Sequence, residues 1–195
     1  MLLAATITTA YSVWQASVYN SQGGSSSSKA NGLRSLSNSY LSEGLIQRNI
    51  DANTFINWVT AVSNNDNALA SFIEERFREE FKPAFYAWLG STNTTEEIPP
   101  GTPFDRPEYK NANIEMSQQI SLEIDALAAE SDLYGKYSNR LVLVTVLTAT
   151  VVFLASLESK IERSKYLKIL ILAVAIALFL VGWSIIISIP HAWSY

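Results

Sequence analysis

Residues 141–157 and 169–189 carry no charged side chain at all, and no other feature limits the fold of this chain so strongly. The later stretch, ILILAVAIALFLVGWSIIISI, makes roughly 31 Å of helix at ~1.5 Å per residue, which matches the hydrocarbon thickness of a bilayer. The earlier one, LVLVTVLTATVVFLASL, makes about 26 Å and is preceded by Tyr134 and Tyr137, residues suited to a headgroup boundary. Both are predicted to be transmembrane helices. Trp193 and Tyr195 suit an interfacial belt beyond Pro190. With 48% hydrophobic residues the chain is too apolar for disorder, and with no Cys it is not a disulfide-stapled domain.

The loop between these segments, residues 158–168, carries Lys160, Arg163, Lys165 and Lys168. Positive residues in short loops favour the cytoplasmic side, so these four are candidate topology determinants. The N-terminal segment is apolar from its first residue but lacks the basic start of a signal peptide. Residues 1–19 are therefore read as an uncleaved, threonine-softened first span with its N-terminus inside, or as the remainder of a longer segment shortened by a misplaced start. The expected order is transmembrane helix 1 over 1–19, an extracytoplasmic helical domain over 20–140, transmembrane helix 2 over 141–157, a cytoplasmic loop over 158–168, and transmembrane helix 3 over 169–190. The fold class is all-α, a multi-pass protein of the cell membrane with a helical bundle between its first and second spans.

Residues 20–140 hold sixteen acidic and ten basic side chains, a balance that argues against nucleic-acid binding. The Gly/Ser-rich run after Asn20 predicts a continuation of the first helix rather than a linker. Leu33, Leu36 and Tyr40 keep helical spacing there, and small residues permit close helix contact. Asp51 is read as the N-cap of a second, short helix in which Phe55, Trp58, Val59 and Val62 form one face. Asn64-Asn65-Asp66-Asn67 breaks the chain and offers another cap. A third helix is predicted from Leu69, Ile73, Phe77, Phe81, Phe85 and Trp88, kinked at Pro83 and closed by Gly90. Residues 91–110 contain four prolines and read as a loop, with Asn93-Thr94-Thr95 fitting a glycosylation acceptor. From about Asn111 a last helix is expected to run unbroken into the second span.

Chemistry-bearing residues are few. The single His191 lies near the end of the chain and suits an interface or solvent rather than a triad, and metal ligation by His or Cys has too few ligands. In Glu74-Glu75-Arg76-Phe77-Arg78-Glu79-Glu80-Phe81-Lys82 a carboxylate pair could hold a cation, but a solvated face of alternating charge explains the pattern better. No Asp, Glu, Lys, Arg or His lies in 1–19, 141–157 or 169–189, which argues against charge-coupled transport. Thr6, Thr8, Thr9, Thr145, Thr148 and Thr150 could line an oligomeric pore, though interhelical bonding and close packing account for them more simply.

Trp14-Gln15-Ala16, Asp51-x-x-Thr54-Phe55-x-x-Trp58-Val59, the block from Arg76-Phe77-Arg78 to Trp88-Leu89, Thr102-Pro103-Phe104 with Tyr109, and Asn139-x-Leu141-Val142-Leu143 share a pattern. It resembles that of small, uncharacterised prokaryotic integral membrane proteins. The resemblance implies one N-terminal span, an extracytoplasmic helical region and a closing two-span hairpin, and it brings no activity with it.

The expectation is a non-enzymatic membrane protein without catalytic, metal or cofactor residues, a self-assembling or accessory subunit of a membrane complex. Its partners would be the bilayer and either itself, as a homo-oligomer, or another membrane protein. Phe77, Phe81, Phe85, Trp88 and Trp58 are the candidate helix-packing or assembly face. Alternatives are an extracytoplasmic ligand-sensing protein and an oligomeric channel.

Overall fold

A computed structural model describes residues 2–91, 98–160 and 165–192. Among these the regular structure is entirely helical: α1 (Leu2–Ser63), α2 (Asn67–Glu75), α3 (Lys82–Leu89), a 3-10 turn (Pro103–Asp105), α4 (Ala112–Glu158) and α5 (Lys165–Ile187). Two of them, α4 and α5, are long and apolar enough to cross a membrane. The chain divides into two compact units, one comprising Met1–Asn31 with Asp125–Tyr195 and the other Gly32–Ile124.

In the first unit α1, α4 and α5 pack together. Ser131 and Ser138 of α4, seven residues apart, donate to the carbonyls of Gly23 (2.9 Å) and Ala16 (3.0 Å), also seven apart on α1 and in the reverse order. The two helices are thus antiparallel with a heptad-like seam. Small residues make that seam close: a Cβ on Gly23 would sit 3.3 Å from both the Ser131 carbonyl oxygen and the Tyr134 Cβ, whereas one on Gly24 would meet nothing. This is why the Gly/Ser run stays helical. Contact along one face offsets the roughly 1 kcal/mol that each glycine costs a helix interior. Further along, Ala5, Val151 and Ala175 are buried together, and Tyr19, Leu141, Val144 and Ile186 form a second cluster.

In the second unit α1 and α4 are again antiparallel. Ser37 and Ser117 face each other with their hydroxyls 2.9 Å apart, and the Asn111 amide donates to the Gly44 carbonyl at 3.0 Å. Asn111 also accepts from the Ile114 N–H at 3.1 Å, so it caps the start of α4 while tying that start to α1. The predicted unbroken helix from about Asn111 to Leu157 is present.

Two expectations are corrected here. Asp51 is no N-cap: it lies inside α1, which runs from Leu2 to Ser63 without interruption, because Phe55 and Trp58 keep helical spacing with the buried, small-residue face that reaches Asp51 through Ser37 and Gly44. The third helix is not one kinked helix but two. Residues 76–81 leave helical geometry between α2 and α3, and Pro83 sits in the first turn of α3, where its missing N–H costs nothing. Glu75, Arg78, Glu79 and Lys82 therefore do not share a helical face. The predicted break at Asn64–Asn67 is present. Asp66 caps α2 by accepting from the Leu69 N–H at 3.0 Å, and Asn65 takes the left-handed conformation (φ 59°) that asparagine tolerates. Gly90 ends α3 as expected.

Candidate functional site

The aromatic stripe of the sequence becomes the core of the second unit. Phe77, Phe81, Phe85, Trp88 and Trp58 are all buried, together with Phe55. Trp58 meets Phe85 edge-on at 4.8 Å, Phe55 meets Trp88 at 5.1 Å, and Phe104 from the Pro103–Asp105 turn stacks on Phe81 at 5.4 Å. Such pairs contribute about 0.5–1.5 kcal/mol each beyond the area they bury. Trp88 also donates its indole N–H to the Pro100 carbonyl at 3.3 Å, which ties Pro100 to the edge of the cluster. All five residues of the candidate face are thus engaged in packing within the unit.

At the edge of this core sits a carboxylate. Asp51 is 1% exposed and accepts from Arg78 twice, Nε to Oδ1 at 3.2 Å and Nη2 to Oδ2 at 2.7 Å. The Tyr109 hydroxyl donates to Oδ2 at 3.1 Å, and Arg78 reaches Glu80 with its remaining terminal nitrogen. Hydrogen bonding to Asp51 raises the Arg78 guanidinium further above its usual range, outweighing the opposing effect of burial. Burial first, and then the Asp51 charge and hydrogen bond, push the Tyr109 hydroxyl up to about 12. A carboxylate with three donors has little acceptor capacity left for a substrate, so this arrangement fastens the 76–81 connection and the Tyr109 loop to α1.

The charged cluster around it is dispersed. Lys82 pairs with Glu79 at 2.6 Å, Tyr86 donates to Glu74 at 3.0 Å, and the Arg76 guanidinium lies 3.5 Å above the Phe72 ring. Among the described residues no group of three or more acidic, His or Cys side chains is arranged to hold a metal ion.

In the first unit, Tyr11, Gln15 and Tyr19, spaced four apart on α1, hold the segment after α5. Tyr11 Oη lies 2.7 Å from His191 Nδ1, Gln15 Oε1 accepts from the Ala192 N–H at 3.2 Å, and the Tyr19 hydroxyl donates to the Pro190 carbonyl. Around them Tyr19 packs against Tyr134 and Tyr137, and Tyr11 against Trp14. The threonines bond along their own helices: Thr6, Thr8, Thr9, Thr145, Thr148 and Thr150 each lie within reach of the carbonyl four residues back. Thr9 and Thr148 also meet across the α1–α4 seam at 2.7 Å.

Of the topology determinants, Lys160 follows α4 while Lys165 and Lys168 open α5; Arg163 lies outside the described residues, as do Asn93-Thr94-Thr95, Trp193 and Tyr195. The Asp51–Arg78–Tyr109 cluster escapes the sequence reading, yet a signal for it exists. Asp51 is four residues before Phe55 and seven before Trp58, so it falls on the apolar stripe, and a carboxylate there requires a cation. No family model matches the chain, and neither a curated protein nor a solved structure matches it.

Proposed function

We propose that the chain is a non-enzymatic, three-span protein of the cell membrane that acts as a self-assembling or accessory subunit of a membrane complex, with residues 20–140 extracytoplasmic. One observation carries this reading: the most apolar windows of α4 and α5 are only 22% and 17% buried within the molecule. A core helix of a water-soluble protein would be mostly covered, so these faces need lipid or another protein's helices. The first span is supported by Leu2, Leu3, Ile7, Val13 and Trp14, all exposed on the part of α1 that packs with α4 and α5. The basic loop supports the orientation.

Assembly is supported by an outer face of α1 in the second unit, where Leu45, Ile46, Ile50 and Ile56 are each more than half exposed. The aromatic stripe is taken up internally, so this row is the better surface for a partner.

Because the natural chain has no Cys, single cysteines test the topology without background. Ser91→Cys should react with a membrane-impermeant maleimide in intact cells, and Lys160→Cys only after permeabilisation; the reverse pattern would overturn the orientation. Native mass spectrometry in mild detergent should show an oligomer or a bound companion subunit, disrupted by Ile50→Glu with Ile56→Glu. A bare monomer, unchanged by those substitutions, would overturn the assembly role.

A further inference from the structure

In the first unit, where α4 ends and α5 begins, α1, α4 and α5 leave a groove of about 360 Å³ walled by Leu2, Leu3, Ile171 and Leu172. That volume is within the range of about 300–1,000 Å³ typical of small-molecule sites. Ala155 and Ala175 give the groove its depth, and Ala175 is fully buried at its floor with Ala5 and Val151. Two polar residues also line it, Glu158 and Ser159. The Ser159 hydroxyl is turned back onto the Ala155 and Ser156 carbonyls at 3.1 and 3.0 Å, so its proton is used locally. Glu158, the last residue of α4, is half-buried and forms no ion pair among the described residues. A carboxylate set against apolar walls calls for a cation. Lys168 of α5, also half-buried and also without an ion pair among the described residues, precedes Ile171 and Leu172 by one turn and shares their face of the helix. Helical side chains lean toward the helix N-terminus, so its ammonium extends past the groove toward the loop.

We infer that this groove holds one acyl chain of a zwitterionic phospholipid, a phosphatidylethanolamine, with its phosphate at Lys168 and its ammonium at Glu158. The inference rests on the three-span reading above, which turns the mouth of the groove toward lipid. Charge selects the occupant, because a rim of one cation and one carboxylate is the complement of a zwitterion. A phosphatidylglycerol headgroup suits Lys168 but is repelled by Glu158. A choline headgroup has the positive charge without an N–H, whereas a primary ammonium brings three donors to the carboxylate. The helix dipoles act in the same sense: α4 ends on its negative pole at Glu158, and α5 starts on its positive pole near Lys168. Both residues stand where the uncharged stretches 141–157 and 169–189 give way to the loop, the depth at which headgroups lie. Outside the groove Leu3, Ile169 and Leu170 are each at least 60% exposed, an apolar surface for the second acyl chain.

The test uses the full chain, purified in mild detergent and titrated under native mass spectrometry with palmitoyl-oleoyl phosphatidylethanolamine, phosphatidylcholine and phosphatidylglycerol in separate arms. One phosphatidylethanolamine per chain should be retained at activation energies that strip the other two lipids. Glu158→Gln should weaken its retention about tenfold or more, to the level of phosphatidylcholine. Lys168→Gln should weaken the retention of all three, because each carries the phosphate. Both side chains stand at the rim, so helix content by circular dichroism should be unchanged. Glycerophosphoethanolamine, the same headgroup without acyl chains, should not displace the lipid. No retained lipid, phosphatidylglycerol held as firmly as phosphatidylethanolamine, undiminished retention by either variant, or displacement by the bare headgroup overturns the groove assignment. Alkaline carbonate extraction separates the two readings. A chain that stays in the membrane pellet yet retains no lipid loses only the groove, while a chain released into the supernatant loses the membrane reading and the groove together.

Discussion

Arg78 closes on Asp51 with two of its nitrogens, at 3.2 and 2.7 Å, across 27 residues of sequence and from a connection that is not helical. An ion pair this enclosed does not add much net stability when it forms, because both charges leave water. Its removal by halves is another matter. Asp51→Ala leaves a guanidinium at the edge of an aromatic core and should cost about 3–5 kcal/mol in thermal unfolding of the full chain, whereas the double variant Asp51→Leu with Arg78→Met should recover much of that loss. Equal destabilisation by the single and double variants would show that the carboxylate and guanidinium are not coupled.

Tyr109 supplies a pH signature of the same cluster. Its hydroxyl is held up to about 12 against an ordinary value of 10, chiefly by burial and then by Asp51. The folded state therefore keeps the proton more tightly than the unfolded state, so the stabilisation is fully present below pH 10 and is lost as pH rises from 10 through about 12. Two pH units correspond to about 2.7 kcal/mol, and partial exposure reduces this to about 1–2 kcal/mol. Stability of the natural chain should fall over that window more steeply than that of Tyr109→Phe. Parallel curves for the two would remove Tyr109 as the titrating group.

Much of the helical order was legible in the sequence because it depends on spacing. The run from Asn111 to Leu157, the break at Asn64–Asn67 and the aromatic stripe follow from periodicity and cap residues. What depends on pairing was not. Asp51 is a good N-cap residue in isolation, and only its fit with Arg78 and Tyr109 makes an interior helical position tolerable. The division of the third helix has the same origin. Periodicity cannot distinguish a Pro83 that kinks one helix from a Pro83 that begins another, and Phe77 and Phe81 are buried in either case. Likewise the Tyr11, Gln15 and Tyr19 side chains mark a polar row on an apolar helix, but the segment they bind lies more than 170 residues away.

Gly44 and Gly24 should respond in opposite directions to alanine. A Cβ on Gly44 would lie 2.6 Å from Ile114 Cγ1 and 3.1 Å from the Ile114 backbone nitrogen, so α1 and α4 would have to separate at the Asn111 cap. Gly44→Ala should cost about 1–3 kcal/mol. Gly24 has open space around its Cβ position, and Gly24→Ala should gain up to about 1 kcal/mol from helix propensity. Thermal unfolding of the two variants side by side checks both, and a destabilised Gly24→Ala would place a neighbour where none is seen.

Trp58 holds its core position with its indole nitrogen buried and without an acceptor among the described residues. A donor left unpaired in this way costs about 1–3 kcal/mol. The ring nevertheless belongs where it is, stacked with Phe55 at 6.4 Å and edge-on to Phe85 at 4.8 Å. Trp58→Phe removes the unpaired donor together with part of the packed area, so the two effects oppose and the net change should stay within about 1 kcal/mol. Trp58→Ala removes the ring altogether and should cost about 3–5 kcal/mol. Were Trp58→Phe as damaging as Trp58→Ala, the indole N–H would have to be making a bond that holds the core together.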